Sequence, residues 1–157
     1  MITSIWTAPG GDASTARALR QQVFCQELGL EEELAWDGTD PYAVHLVLLL
    51  NDTPVAAGRI TYGGVGVAKL DRICVLKKYR RQGIGDGLVK ILDYKASQMG
   101  MRYSQVEAEA SLMNFYGRIG YTPWGDAVEQ WGKRLIPMRK ETNDGTRENC
   151  AHQCSGA

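Results

Sequence analysis

Apolar and polar positions along the chain switch between two periods. Ile2 to Ala8 reads as a short strand, and Pro9-Gly10-Gly11 turns the chain. From about Thr15 to Leu28 the period becomes helical: Ala16, Leu19, Val23 and Phe24 fall at offsets of 3, 7 and 8, on one face. Asp12 or Ser14 supplies a cap, and Gly29 a stop. Glu31 to Pro41 ends in Trp36-Asp37-Gly38-Thr39-Asp40-Pro41 and reads as a loop with at most a short helix. Three strands follow, Ala43–Leu50, Val55–Tyr62 and Lys69–Leu76, with Pro54 restricted to a strand start. The links between them (Asn51-Asp52; Gly63, Gly64 and Gly66) are too short for crossovers, so the three run antiparallel.

The period then returns to helical, from the glycines at 83–87 to about Gln98. Leu88, Ile91, Leu92 and Met99 form the expected buried stripe, and Gly100 the stop. Tyr103–Ala108 is a strand and Ser111–Ile119 a short helix. Two final strands are expected at about Thr122–Trp131 and Arg134–Lys140. The order is that of one mixed, mostly antiparallel α/β sheet flanked by helices, occupying residues 1–140. Residues 141–157 are polar and read as a flexible tail.

Length and charge narrow the possibilities. A chain of 157 residues is one domain's worth and can bury a core. Eighteen basic residues balance eighteen acidic ones, which argues against a general nucleic-acid binder. The longest apolar stretch, Leu46–Leu50, is strand-sized, so no membrane partner is expected. The N-terminus lacks a basic flank and an apolar core, so a cytoplasmic protein is expected. In that compartment Cys25 and Cys74 read as small core residues rather than disulfide partners. Cys150, His152 and Cys154 are metal-ligand types, but no second cluster completes a site and no metal is expected.

Charge is unevenly placed. Lys69 to Lys90 holds seven basic residues against Asp71 and Asp86. Glu27 to Asp40 holds six acidic residues and no basic one. The first segment suits an anionic ligand. The second suits a cationic one, or is a solvated face.

The chemistry concentrates in Ile73-Cys74-Val75-Leu76-Lys77-Lys78-Tyr79-Arg80-Arg81-Gln82-Gly83-Ile84-Gly85-Asp86-Gly87-Leu88. A strand leads through a basic turn and glycines into a helix. Such a turn aims backbone N–H groups at one point, where the helix dipole adds about half a positive charge. Gly83 and Gly85 let the backbone approach a phosphate, and Arg80 and Arg81 can fork onto its oxygens. The P-loop pattern and the dinucleotide fingerprint are both absent. Arg-x-x-Gly-x-Gly (Arg80, Gly83, Gly85) after a strand, with Phe115-Tyr116-Gly117-Arg118-Ile119-Gly120-Tyr121 some thirty residues on, resembles the cofactor motif of GNAT-type N-acetyltransferases. The resemblance covers nearly all of residues 1–140. It extends to Arg20-x-x-Val23-Phe24-x-x-Glu27-Leu28-Gly29, to Asp37-Gly38-x-Asp40-x-x-Ala43-x-His45, to Ala57-Gly58-Arg59-Ile60 and to Lys69-Leu70-x-Arg72-Ile73-x-Val75, as in a small bacterial subgroup of uncharacterised specificity.

The resemblance implies a GNAT-like sheet splayed between the strand ending at Val75 and the strand Tyr103–Ala108. It implies acetyl-CoA as cosubstrate. Its diphosphate would be held by the turn Arg80, Arg81, Gln82, Gly83, Ile84, Gly85 and Asp86. Its pantetheine would pair with Ile73, Cys74 and Val75. The Val75 N–H would face the thioester oxygen, and Tyr116 would be the general acid for the departing thiolate. The implied reaction is direct transfer to a primary amine of a small molecule or peptide, and the acidic run favours a cationic acceptor such as a polyamine, an aminoglycoside-like amine, or a lysine or N-terminal amine. The alternative is a non-catalytic acyl-CoA sensor or interaction module. Asp71, Glu27, Glu33, Asp37 and His45 are candidate bases, with His45 equally a hydrogen-bonded structural residue. Where the family often carries an asparagine before the tyrosine, Glu109 or Ser111 stands. Arg72 could hold an acceptor carboxylate or make a structural ion pair, and a homodimer is open.

Overall fold

The computed structural model describes residues 1–32 and 35–142. Glu33, the tail cysteines Cys150 and Cys154, and His152 lie outside the described residues. Eight strands form one open sheet in the order β1-β2-β3-β4-β5-β8-β6, with β7 paired to β8. The strands are β1 (Ile2–Thr7), β2 (Val44–Leu50), β3 (Thr53–Tyr62), β4 (Val67–Val75), β5 (Tyr103–Ala108), β6 (Thr122–Pro123), β7 (Val128–Gln130) and β8 (Lys133–Glu141). The helices are α1 (Ser14–Arg20), α2 (Ile84–Gln98) and α3 (Met113–Ile119). Strands β2, β3 and β4 pair antiparallel, as their short links require, and β4–β5 is the parallel pair. No helix among the described residues is long and apolar enough to cross a membrane.

Alternation along β2 assigns the two faces. Leu46 and Leu48 pack with Leu88, Val89 and Leu92 of α2; Val47 packs with Ala16, Leu19 and Val23 beneath α1. In α2 the buried stripe contains Leu88 and Leu92, but Met99 lies past the last helical turn and is exposed. The helix expected over residues 15–28 is α-wound only to Arg20; Gln21–Glu27 continues it as π-helix. The strand expected at 122–131 is broken into β6 and β7, with Gly125 at a positive φ between them; Trp131-Gly132 forms a two-residue turn, and the last strand is one residue longer at each end than expected. At the C-terminal end β8 runs to Glu141. Thr142 is buried and donates to the Met101 carbonyl, two residues past the expected domain end.

A buried ionic cluster ties the loop before β2 to the α1 face. Arg20 donates to Asp40 at 2.7 Å and to His45 Nδ1 at 2.6 Å. Arginine can only donate, so Nδ1 accepts and His45 Nε2–H donates to the Asp40 carbonyl at 3.0 Å. Arg59 uses its five N–H groups on Asp37, Asp40 and Asp71, at 2.7–3.0 Å. Burial pushes Asp37 and Asp40 upward, but hydrogen bonds from arginine and backbone outweigh it and hold both below the ordinary 3.8. Burial holds His45 below 6.5, so it is neutral at pH 7.

This packing sets two expected outcomes. A Cβ on Gly58 would lie 2.7 Å from Leu92 Cδ1, and Leu92 is fully buried. Gly58→Ala should therefore cost about 1–3 kcal/mol by overpacking, and Leu92→Ala about 2–5 kcal/mol by cavity formation. The double variant should lose less than the sum, and additive losses in urea melts would refute the contact. The depressed carboxylates and histidine mean that the folded chain binds fewer protons than the unfolded chain under acid. Stability should hold above about pH 6.5, begin to fall as unfolded histidine protonates, and fall faster below about pH 4. A urea midpoint that stays flat down to pH 4 would contradict this.

Candidate active site

Strand β4 changes course at Arg72. Ala57 pairs with Cys74 and Arg59 with Asp71, so Arg72 and Ile73 together face the single residue Gly58. Arg72 adopts φ +49°, a left-handed conformation. The extra residue bends the strand. Parallel pairing with β5 covers only Val67–Lys69 against Tyr103–Gln105; beyond it β4 and β5 part, as the family resemblance implied.

The register fixes what β4 offers to the gap. Leu76 N–H bonds the Val55 carbonyl, and Val75 faces Ala56. Hydrogen-bonded and non-bonded positions alternate in an antiparallel ladder, so both peptide groups of Val75 point away from β3, toward the gap. The Val75 carbonyl is taken by Arg80 Nε at 2.9 Å, which leaves the N–H as the group presented there. Cys74 corrects an expectation. At the adjoining bonded position its peptide groups point to β3, and its side chain packs under α1, where burial pushes the thiol up to about 11. It faces no part of the gap. Cys25 is only partly buried.

A cavity of about 500 Å³ occupies the gap, and Ile73, Val75, Arg80, Val106, Phe115 and Tyr116 are among its walls. Tyr116, on α3, is 7% exposed, and its ring meets those of Phe115 and Tyr121 edge to face at 5.0 and 5.8 Å. Burial alone pushes its phenol up to about 12, so it is fully protonated at neutral pH. Tyr121, by contrast, is hydrogen-bonded to Ser104 at 2.9 Å and is structural.

Above the cavity the chain turns into α2. Arg81 and Gly83 take φ of +63° and +79°, and Gly83 is the helix N-cap with no side-chain cap. The first helical bond runs from Gly87 N–H to the Gly83 carbonyl, so the amides of Ile84, Gly85 and Asp86 lack intrahelical acceptors. Arg81, Gln82 and Gly83 are exposed, and nothing lies within 4 Å of a Cβ placed on Gly83. These amides, with the dipole of a fifteen-residue helix behind them, form an open corner of the kind that suits an anion. The Arg80 side chain is not part of that corner. Its guanidinium is held by Glu27 of the π-helix through two 2.6 Å bonds.

The candidate bases are similarly engaged. Both oxygens of Asp71 accept from Arg59, Asp37 is shared by Arg59 and Arg72, and Glu27 binds Arg80. His45 is locked inside the cluster in a structural role. Three of the six acidic residues in the 27–40 run, Glu27, Asp37 and Asp40, are thus neutralised by arginine. The sequence reading missed the far wall: Glu107, paired with Lys69 at 3.2 Å, and Gln130, Trp131 and Lys133 of the β7–β8 hairpin, Lys133 pairing with Glu109 at 2.9 Å. The available signal was Trp131-Gly132, a left-handed two-residue turn between alternating runs, which places a hairpin tip there.

Known proteins resemble this chain in sequence and in fold. Residues 13–142 match the family described as "Acetyltransferase (GNAT) domain". The Bacillus subtilis protein YjcF, named an uncharacterized N-acetyltransferase, is 33% identical over 103 residues, which is 66% of this chain and 73% of that one. YyaT of the same organism, an uncharacterized protein, is 30% identical over 83% of this chain and 89% of its own length. The crystal structure of an N-acetyltransferase candidate from Lactobacillus plantarum superposes with a TM-score of 0.82 at 27% identity, covering 90% of this chain and 99% of that one. An acyl-CoA N-acyltransferase from Pseudomonas aeruginosa shares the fold at 20% identity, with a TM-score of 0.77 over 89% and 99% of the two chains. With its splayed sheet, its open corner at the start of α2 and these matches, the chain belongs to the GNAT acetyltransferase family.

Proposed function

We propose that this protein transfers an acetyl group from acetyl-CoA to a primary amine while both are bound, without a covalent enzyme intermediate. The observation that carries the reading is the convergence of the Val75 amide and the Tyr116 phenol on one cavity, next to an uncapped, solvent-facing helix start. The residues present suit the cosubstrate: the amides of Arg81, Gln82, Gly83, Ile84, Gly85 and Asp86 are free of side-chain caps, and no Cβ obstructs Gly83. When bound, acetyl-CoA supplies an acyl group activated as a thioester.

The chain's own groups then divide the work. The Val75 N–H donates to the thioester oxygen as negative charge gathers on it during attack by the amine, which is worth about 3 kcal/mol for one well-placed donor. Tyr116 hands its phenolic proton to the departing sulfur. A phenol near 12 is a weaker acid than free tyrosine. The cavity that desolvates it also desolvates the thiolate and raises its basicity, so the two stay matched. The amine nitrogen loses its own proton to water. Arg80 acts by position: it occupies the Val75 carbonyl and ties it to Glu27, holding the oxyanion donor still.

The experiment is acetyl-CoA binding by calorimetry together with thiol release across an amine panel. Binding with turnover supports the reading; binding with no turnover would favour a non-catalytic acyl-CoA sensor. Gly83→Glu, which places a carboxylate at the anion corner, should weaken acetyl-CoA about 100-fold, and Gly83→Ala, which adds only backbone strain at φ +79°, much less. Equal affinity of wild type and Gly83→Glu would remove the corner from the site. Tyr116→Phe should lower kcat by about 10²–10⁴ and change acetyl-CoA affinity little. Because burial raises this phenol to about 12, wild-type kcat should show no alkaline decline through pH 10. A decline centred near pH 9 that vanishes in Tyr116→Phe would contradict the raised phenol, and an unchanged kcat in Tyr116→Phe would remove Tyr116 from proton transfer.

A further inference from the structure

Arg72 and Arg59 are neighbours with opposite satisfaction. Arg59 has every N–H matched to a carboxylate oxygen. Arg72 has a side chain only 9% exposed, yet among the described residues its one hydrogen bond runs from Nη2 to Asp37 Oδ2, at 2.8 Å. That oxygen is shared with Arg59 at 3.0 Å. Asp71 approaches Arg72 only to 3.6 Å, because both its oxygens are bonded to Arg59. Arg72 Nε is buried with no partner among the described residues. A buried guanidinium with unmet donors is costly, and unlike Arg20, whose Nε is likewise unpartnered among the described residues, Arg72 lines a cavity from which a ligand could meet it.

The position says what could arrive. Arg72 lines the main cavity and also a second, shallower one of about 560 Å³ that adjoins it through Arg72, Gln130 and Trp131. Its guanidinium lies 4.8 Å from the centre of the Trp131 ring, at the tip of the β7–β8 hairpin. The other cations of the main cavity have carboxylates of their own: Lys69 with Glu107, Lys133 with Glu109, Arg80 with Glu27. Arg72 is the cation of this wall that keeps a buried donor unmatched among the described residues. Apart from these charged groups, Asp71 and Gln130, the cavity wall is largely apolar, with Phe24, Leu28, Leu112 and Leu135 contributing.

We infer that the acceptor amine carries a carboxylate, which docks on Arg72 beside Trp131, and that the rest of the molecule is apolar: the substrate class is an amino acid rather than a polyamine. This rests on the acetyl-transfer reading and deepens it. A planar guanidinium fork matches a carboxylate with two parallel bonds, which a cationic or neutral acceptor cannot use. The acidic run that suggested a cationic acceptor offers little against this, since Glu27, Asp37 and Asp40 are already bound by arginines.

The test pairs acids with their amides. Leucine, phenylalanine and the spacing series glycine, β-alanine, 4-aminobutyrate and 6-aminohexanoate are each assayed with acetyl-CoA against the corresponding amino amide, and spermidine is included. At least one acid should show a KM about 10-fold or more below its amide, a difference of the size expected for one charged docking contact. In Arg72→Gln that ratio should fall to near one, and Arg72→Lys, which keeps the charge without the fork, should restore part of it. Acetyl-CoA affinity by calorimetry shows whether each variant is folded. If Arg72→Gln does not fold, Trp131→Leu, which strips the ring from the guanidinium, should still shift the acid-to-amide ratio. Amides or spermidine outperforming every acid, or an acid preference that survives Arg72→Gln, overturns the inference and leaves the acetyl-transfer reading standing. Acetyl-CoA bound with none of the panel acetylated overturns the amino-acid assignment and favours a sensor. No acetyl-CoA binding at all overturns the parent reading instead.

Discussion

Two residues of β4 confront one residue of β3 at Arg72, Ile73 and Gly58, and that mismatch shapes the rest of the site. The bulge bends β4 out of register with β5, so the parallel pair ends after Lys69 and Gln105 and a cavity opens instead of a continuous sheet. It also resets which way the next residues of the strand face. Beyond the bulge Ile73 and Val75 face the α2 side while Cys74 faces α1, and the Val75 peptide turns its hydrogen-bonding groups into the gap. Gly58 is the counterpart that makes this packing tight, since a side chain there would meet Leu92. A single irregularity therefore brings the Val75 amide, the cleft and the unusual φ of Arg72 together.

Around that irregularity the arginines separate by place. Arg20, Arg59 and Arg80 act as ties: Arg20 and Arg59 hold the loop carrying Asp37 and Asp40 against the sheet, though Arg20 Nε is left without a partner among the described residues, and Arg80 binds the turn before α2 to the π-helix through Glu27. Buried ion pairs of this kind are poor evidence of net stability, because desolvation cancels much of the attraction. Their value here is geometric, in fixing one arrangement of loop, strand and turn. Arg72 is of the other kind, enclosed but underused, and it stands where the two cavities meet.

The aromatic side of the site shows a similar division. Tyr116 and Tyr121 come from one short segment and pack edge to face, yet Tyr121 is hydrogen-bonded to Ser104, which in turn donates to Asp93, whereas Tyr116 lines the cavity. Burial raises both above ordinary tyrosine. Of the two, Tyr116 is the one that faces the gap.

Hydrophobic periodicity, glycine and proline positions determined most of the strand and helix order, the antiparallel β2–β4 block and the uncapped helix start at Gly83, because these depend on contacts within a few residues. The GNAT resemblance pointed to Tyr116 and to the splay. What only the folded chain decided depends on pairing between distant segments. Which acidic residues of the 27–40 run are free could not be read locally, since their partners Arg59, Arg72 and Arg80 lie between 19 and 53 residues away. Cys74 and Val75 look alike in sequence, yet strand phase sends one to the core and the other to the cleft. The walls formed by Glu107, Trp131 and Lys133 arise from β5 and β8 pairing across the sheet. Charge compensation and cavity walls are properties of three-dimensional neighbours, and a linear pattern carries no distance between them.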